Sequence, residues 1–271
     1  MKISAHLLSK ENEQEQLMLE DTPNRGGVIQ PEYLVIHYTA GSSGESSVKH
    51  FQSPSAQASA HLVIGRDGKI WQLVPFNLKA WHAGVSTWAG RAALNGFSIG
   101  VELDNAGRLQ KIGSQYQAWF GRFYPESEVI EARHKNESET AFWHAYTEKQ
   151  IGATRDVARL LVDAYGLRDV LGHEDIAPER KQDPGPAFPM ASFRAFLFGR
   201  AEDQAARYVV TAALLNVRAG PGTEHPTVRP PIQRDTVLTL VEMRAEWAKV
   251  LMEDGSGQEG WVRNAFIRSV S

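Results

Sequence analysis

Residues 171–189 read LGHEDIAPERKQDPGPAFP, and this stretch organises the rest of the chain. It carries His173, Lys181 and Asp183 close together, in a segment whose prolines and glycines exclude regular structure. The prolines at 178, 184, 186 and 189 fix backbone angles and reduce the entropy lost when such a loop is held in one shape. A histidine and a carboxylate on a stiff loop are ligands that zinc accepts, and zinc needs at least one more. The best supplier is His37, in the apolar run YLVIHYTAG at residues 33–41. On residue pattern alone, a solvated His and Asp on a surface loop explain the stretch at least as well, because short ligand patterns recur by chance.

Composition narrows the classes. With 271 residues, 42% of them hydrophobic, the chain can bury one large core, or a large and a small one. A net charge of −3 argues against a nucleic-acid binder driven by phosphate attraction. There are no cysteines, so disulfides and thiolate sites are excluded and any zinc falls to His and carboxylates. The N-terminus MKISAHLLSKENEQEQ lacks the pattern of a secretory signal, and no segment approaches the ~18 apolar residues of a membrane span.

Residues 2–9 and 15–20 are expected to pair as a hairpin. Residues 33–38, 61–64, 70–74 and 97–103 read as strands, with a turn at Gly65-Arg66-Asp67-Gly68. Residues 45–51 suit a short helix capped by Ser42 or Ser43. The clearest helix spans 147–165. It opens on the capping box Thr147-Glu148-Lys149-Gln150 and ends at Gly166. A further helix is expected at 191–198. Strands alternating with helices predict an α/β mixed sheet flanked by helices. After a polar linker at 201–207, short strand-like runs separated by turns predict a small all-β barrel. The expected domains are therefore 1–200 and 208–271.

A three-ligand zinc site is catalytic in form, and it needs a general base and a donor for an oxyanion. Glu102, at the end of an apolar strand, and Lys181, on the ligand loop, are candidates. Taken alone, an ordinary strand-end charge for Glu102 and a solvated loop lysine for Lys181 are the favoured readings, and both gain force only in combination.

Five motifs occur in order: YLVIHYTAG, SAHLVIGRDGKIWQLV, AWHAG, SIGVELDN and GHEDIAPERKQDPGPAF. Together they resemble the zinc-dependent N-acetylmuramoyl-L-alanine amidases of the AmpD type, relatives of the peptidoglycan recognition proteins, over roughly residues 20–198. The resemblance implies that His37, His173 and Asp183 bind zinc and that Glu102 and Lys181 are the catalytic pair. It implies hydrolysis of the amide joining N-acetylmuramic acid to L-alanine in peptidoglycan or muropeptides. It places His61, Trp81 and His82 in matching motifs, where structural or substrate-lining roles are expected. Trp81 suits stacking on a sugar or plain packing. Glu174 and Asp175 lie nearer His173 than Asp183 does, but the resemblance selects Asp183. A non-catalytic peptidoglycan-binding protein on the same scaffold is the alternative; such proteins commonly lack a zinc ligand, and this chain keeps all three.

Residues 113–146 are rich in aromatics and look like an insertion that walls a groove or packs on the core. Residues 208–269, with LNVRAGPG, EWAKV and EGWV, resemble bacterial SH3-like domains, for which either cell-wall binding or a purely structural role is expected. The expected location is cytoplasmic as synthesised, with the cell wall reached by export or lysis through another route.

Overall fold

The run YLVIHY is apolar on both faces, as a strand covered on both sides must be. It forms the strand Tyr33–Tyr38, with Tyr33 through His37 all buried. A computed structural model describes residues 1–199, 207–244, 246–254 and 256–270, in which this strand lies second in a six-stranded sheet. The order is Asp169–Gly172, Tyr33–Tyr38, Ser98–Leu103, Leu62–Ile64, Ile70–Gln72, Leu17–Leu19. The first four strands are parallel. Ile70–Gln72 turns back antiparallel to Leu62–Ile64 and pairs in parallel with Leu17–Leu19. The mixed sheet expected from the sequence is thus present.

The expected hairpin between residues 2–9 and 15–20 does not form. Ala5 and His6 both take left-handed backbone angles and turn the chain at once, so Lys2–Ser4 pairs with Leu7–Ser9. That frees Leu17–Leu19 to extend the main sheet.

Two helices flank the sheet. Gly44–Gln52 starts at Ser43, whose hydroxyl accepts from Ser46 N–H in a capping box, and buries Val48 and Phe51 with Val63 and Trp71. Glu148–Tyr165 starts at Thr147, whose side chain accepts from Gln150 N–H. The reciprocal half of the expected box is missing. The Gln150 amide instead donates to the Ile64 and Asp104 carbonyls at 2.9 and 3.1 Å, tying the helix to the strand ends. Gly166 ends the helix in the left-handed conformation.

Residues 108–144 make a separate five-stranded antiparallel sheet, ordered Phe123–Tyr124, Gln115–Gln117, Arg108–Ile112, Thr140–His144, Val129–Arg133. Its own core contains Leu109, Tyr116 and Tyr124, so much of the aromatic content packs within the insertion.

The chain divides into two compact units, Met1–Phe188 and Pro189–Ser271, and the helix Met190–Phe198 falls in the second. Of the expected linker, 201–206 lie outside the described residues, and Arg207 already opens a strand. The second unit holds a five-stranded antiparallel sheet around Val210, Val217, Leu238, Val250 and Val262. No helix of the described residues is long and apolar enough to cross a membrane.

His61 shows how the first sheet uses a polar group. It is fully buried, its Nε2–H donates to Leu78 O at 2.9 Å, and its Nδ1 accepts from Gly100 N–H at 3.0 Å. Burial pushes its pKa from 6.5 down to about 4, although the bond to Leu78 opposes the shift. The folded state thus holds His61 neutral where the unfolded chain protonates it. That contribution is complete above about pH 6.5 and is lost as the pH falls toward 4. Urea unfolding across this window should show a shallower loss of stability in His61→Gln than in the wild type. Parallel slopes for the two proteins would show that His61 does not titrate as described.

Candidate metal centre

Strand register assembles the site. Glu102 pairs directly with His37, and Gly172 pairs with Ile36, so the next residue, His173, emerges beside His37. Three adjacent parallel strands thus deliver Glu102, His37 and His173 at their C-terminal ends, where open α/β sheets place their sites. The loop then returns. Glu174 N–H donates to Asp183 O at 2.9 Å, which brings the Asp183 carboxylate back to the two histidines.

His37 Nδ1 lies 2.9 Å from His173 Nδ1 and 2.9 Å from Asp183 Oδ2, and His173 Nδ1 lies 3.0 Å from the same oxygen. All three residues are buried, and they form the group among the described residues whose ligand atoms could hold one metal ion. The outer ring nitrogens decide what faces inward. His173 Nε2–H donates to Ala83 O at 3.1 Å, and His37 Nε2–H donates to His82 Nδ1 at 2.9 Å. Both Nδ1 lone pairs therefore point at the carboxylate oxygen. Three electron-rich atoms meeting in a dry place are a donor set for a cation.

The relay continues outward. His82 Nε2–H donates to Ser98 Oγ at 3.2 Å, and Ser98 Oγ–H donates to Leu94 O at 2.6 Å. Gly100 makes room for it: a Cβ there would lie 2.3 Å from the His82 ring. Burial, then the charge of His173, lowers the His37 pKa to about 4 despite the neighbouring Asp183 carboxylate.

Beside the triangle is a cavity of about 470 Å³ lined by His173, Asp183, Glu102, Lys181, Trp81 and His82, among others. The Glu102 Oε2 atom is buried without a hydrogen-bond partner among the described residues. Burial, reinforced by the charge of Asp183, raises its pKa to about 8, against the opposing pull of Lys181. Glu102 and Lys181, read from the sequence as a candidate base and cation, thus line one cavity together with His173 and Asp183.

Other candidates are placed differently. His61 is fully buried with both nitrogens bonded to backbone, which favours the structural of the two roles expected for it. His82 does border the cavity, but its nitrogens are spent on His37 and Ser98, so it supports the ligand and is not free to bond substrate. Trp81 lines the cavity, half-exposed. Glu174 and Asp175 face away from the triangle. Glu174 Oε2 meets His134 Nε2 at 2.6 Å and accepts from Gly185 N–H at 3.2 Å, and Lys135 bridges Glu174 and Asp175. Sequence reasoning missed this clasp between insertion and ligand loop. The only signal for it was the pair His134-Lys135, some forty positions from its acidic partners.

The family model for N-acetylmuramoyl-L-alanine amidase matches residues 27–186, and that for the bacterial SH3 domain matches residues 211–268. The chain belongs to the N-acetylmuramoyl-L-alanine amidase family and carries a bacterial SH3 domain after the amidase region. It is 38% identical over 143 residues to the 1,6-anhydro-N-acetylmuramyl-L-alanine amidase AmpD of Escherichia coli, covering 52% of this chain and 59% of that one. It is 36% identical over 165 residues to the N-acetylmuramoyl-L-alanine amidase AmiD of the same organism, covering 58% and 49%. The chain therefore spans about half to three-fifths of the length of these relatives. A crystal structure of an AmpD selenomethionine derivative superposes with a TM-score of 0.51 at 28% identity, covering 73% of this chain and 99% of that one.

The relay makes a testable demand. Outer partners of metal-binding histidines are typically worth about 10- to 100-fold in affinity. His82→Ala should weaken zinc binding by about that factor in competition with a chelating dye, with Ser98→Ala weaker in the same direction. Unchanged affinity in His82→Ala would remove the relay from the account of the metal centre.

Proposed function

We propose that this chain is a zinc-dependent amidase that hydrolyses the bond between N-acetylmuramic acid and L-alanine in peptidoglycan or its fragments. The observation that carries the reading is a His-His-carboxylate donor set beside a cavity that His173 and Asp183 share with a buried carboxylate, one of whose oxygens has no hydrogen-bond partner among the described residues, and a lysine. The names of the relatives AmpD and AmiD supply the bond. His37, His173 and Asp183 hold the zinc. When bound, it supplies a Lewis acid that polarises the amide carbonyl and acidifies water.

The protein's own groups do the rest. Glu102, with one buried oxygen that has no hydrogen-bond partner among the described residues at the cavity, takes a proton from the attacking water and passes it to the departing nitrogen of L-alanine. Water adds to the lactyl carbonyl, the C–N bond breaks, and a carboxylic acid and a free amine result. Lys181 lies on the ligand loop with no carboxylate at ion-pair distance among the described residues, so its ammonium is available to the oxyanion. Trp81 offers an apolar face for the sugar. The SH3 domain serves as a cell-wall-binding module.

Product analysis of digested muropeptides by mass spectrometry tests the reaction. Intact stem peptides with a free L-alanine amino group are expected; cleavage between two amino acids of the stem would contradict the assignment. Glu102→Gln should keep its zinc and lose about a hundred- to ten-thousand-fold in turnover. Lys181→Met should keep zinc and lose about a hundred-fold or more in kcat with little change in KM. A normal kcat with a raised KM would make Lys181 a substrate-binding residue instead.

A further inference from the structure

The insertion adds a second cavity next to the metal cavity. It has a volume of about 630 Å³, and Tyr38, Ala40 and Trp119 line both. Ala40 follows the His37 strand, so the two spaces adjoin just past its C-terminal end.

Trp119 marks the junction. Its side chain is 79% exposed, yet it is held in place. The indole N–H donates to Ala40 O at 2.8 Å, and the Phe120 ring packs edge-on with centroids 5.7 Å apart. The turn beneath it is closed by Gly121 N–H donating to Ala118 O, with Gly121 at a φ of 92°. Arg122 fastens the same turn to Ser42 O at 3.0 Å. The polar edge of the indole is thus spent while its faces stay open to solvent. An apolar face that is fixed but unburied is preorganised for a ligand, because little rotamer entropy remains to be lost on binding.

The far part of the groove is basic. Lys111 lines it, with Nζ 5.5 Å from the ring centroids of Tyr116 and Phe142, and no carboxylate among the described residues lies within ion-pair distance. Arg108 also lines the groove but is engaged by both oxygens of Glu137. One cation without a carboxylate partner among the described residues, beyond an aromatic platform, suits an extended acidic chain better than a neutral sugar ring.

We propose that this groove is a subsite for the stem peptide, with Trp119 packing against the peptide beyond the L-alanine and Lys111 pairing with one of its carboxylates. The proposal rests on the amidase reading, since that reading sets the amide at the metal and sends the peptide outward. It assigns the insertion a part in choosing substrate by stem length and charge.

The test compares N-acetylmuramoyl-L-alanine, which has no peptide beyond the first residue, with N-acetylmuramoyl-L-alanyl-γ-D-glutamyl-L-lysine. Trp119→Ala and Lys111→Ala should each lower kcat/KM on the longer substrate by about ten-fold, through KM, and leave the shorter one within about two-fold. Added salt should raise KM for the longer substrate in the wild type but not in Lys111→Ala. Equal losses on both substrates would show that the groove serves the sugar or the reacting centre, and no loss on either would show that it binds nothing; each result overturns the proposal. Calorimetric titration with the free peptide L-alanyl-γ-D-glutamyl-L-lysine separates the two readings. If the wild type hydrolyses neither substrate but binds this peptide, and Trp119→Ala binds it more weakly, the amidase reading fails and the subsite stands. If hydrolysis proceeds and peptide binding ignores both substitutions, the subsite fails alone.

Discussion

Three lone pairs meet within 3.0 Å in a buried place, two from imidazole nitrogens and one from a carboxylate. Without a cation this arrangement is costly, because each group has been taken from water and faces another acceptor. Much of the first unit can be read as the means of holding it. The parallel register fixes His37 and His173 side by side, and the proline-rich loop returns Asp183 to meet them. The outer nitrogens are then locked by Ala83 and by the His82–Ser98 relay, so neither ring can turn its lone pair away.

Support also comes from outside the sheet. Glu174 follows a ligand in sequence and is gripped by His134 and Lys135 of the insertion and by Gly185 N–H of its own loop. Tyr146 O–H donates to Pro184 O at 2.8 Å, one residue past Asp183. Arg180 reaches from the same loop to Ala83 O and Val85 O, joining it to the AWHAG segment. The insertion therefore has two faces in the account: one braces the ligand loop, and the other carries Trp119 to the edge of the cavity. The choice between walling a groove and packing on a core is resolved residue by residue, with Tyr116 and Tyr124 in its own core and Trp119 in the open.

The fold was legible where local pattern and burial agree. An apolar run such as YLVIHY can only be a covered strand here, and Thr147 with Gly166 brackets its helix with both ends correctly chosen. That His37, His173 and Asp183 come together, with Glu102 and Lys181 beside them, was legible through their shared motifs. What stayed hidden depends on distances in space. Nothing local shows that Gln150 abandons its capping box for two strand-end carbonyls, or that His82 spends both nitrogens behind His37. Likewise His61 and His82 look alike in sequence, two histidines in neighbouring motifs, and only the structure separates a sheet-binding residue from a ligand support. The early turn at Ala5-His6 was missed because neither residue type announces a left-handed conformation.

The central claim is that His37, His173 and Asp183 hold zinc, and X-ray absorption at the zinc edge of the purified chain tests it most directly. The account predicts one zinc per chain, with two imidazoles and oxygen ligands at about 2.0–2.2 Å. It further predicts that Asp183→Ala keeps both imidazole signatures while its oxygen shell changes. Zinc bound with no imidazole scattering, or a shell that is identical when His37 or His173 is replaced by alanine, would contradict the account.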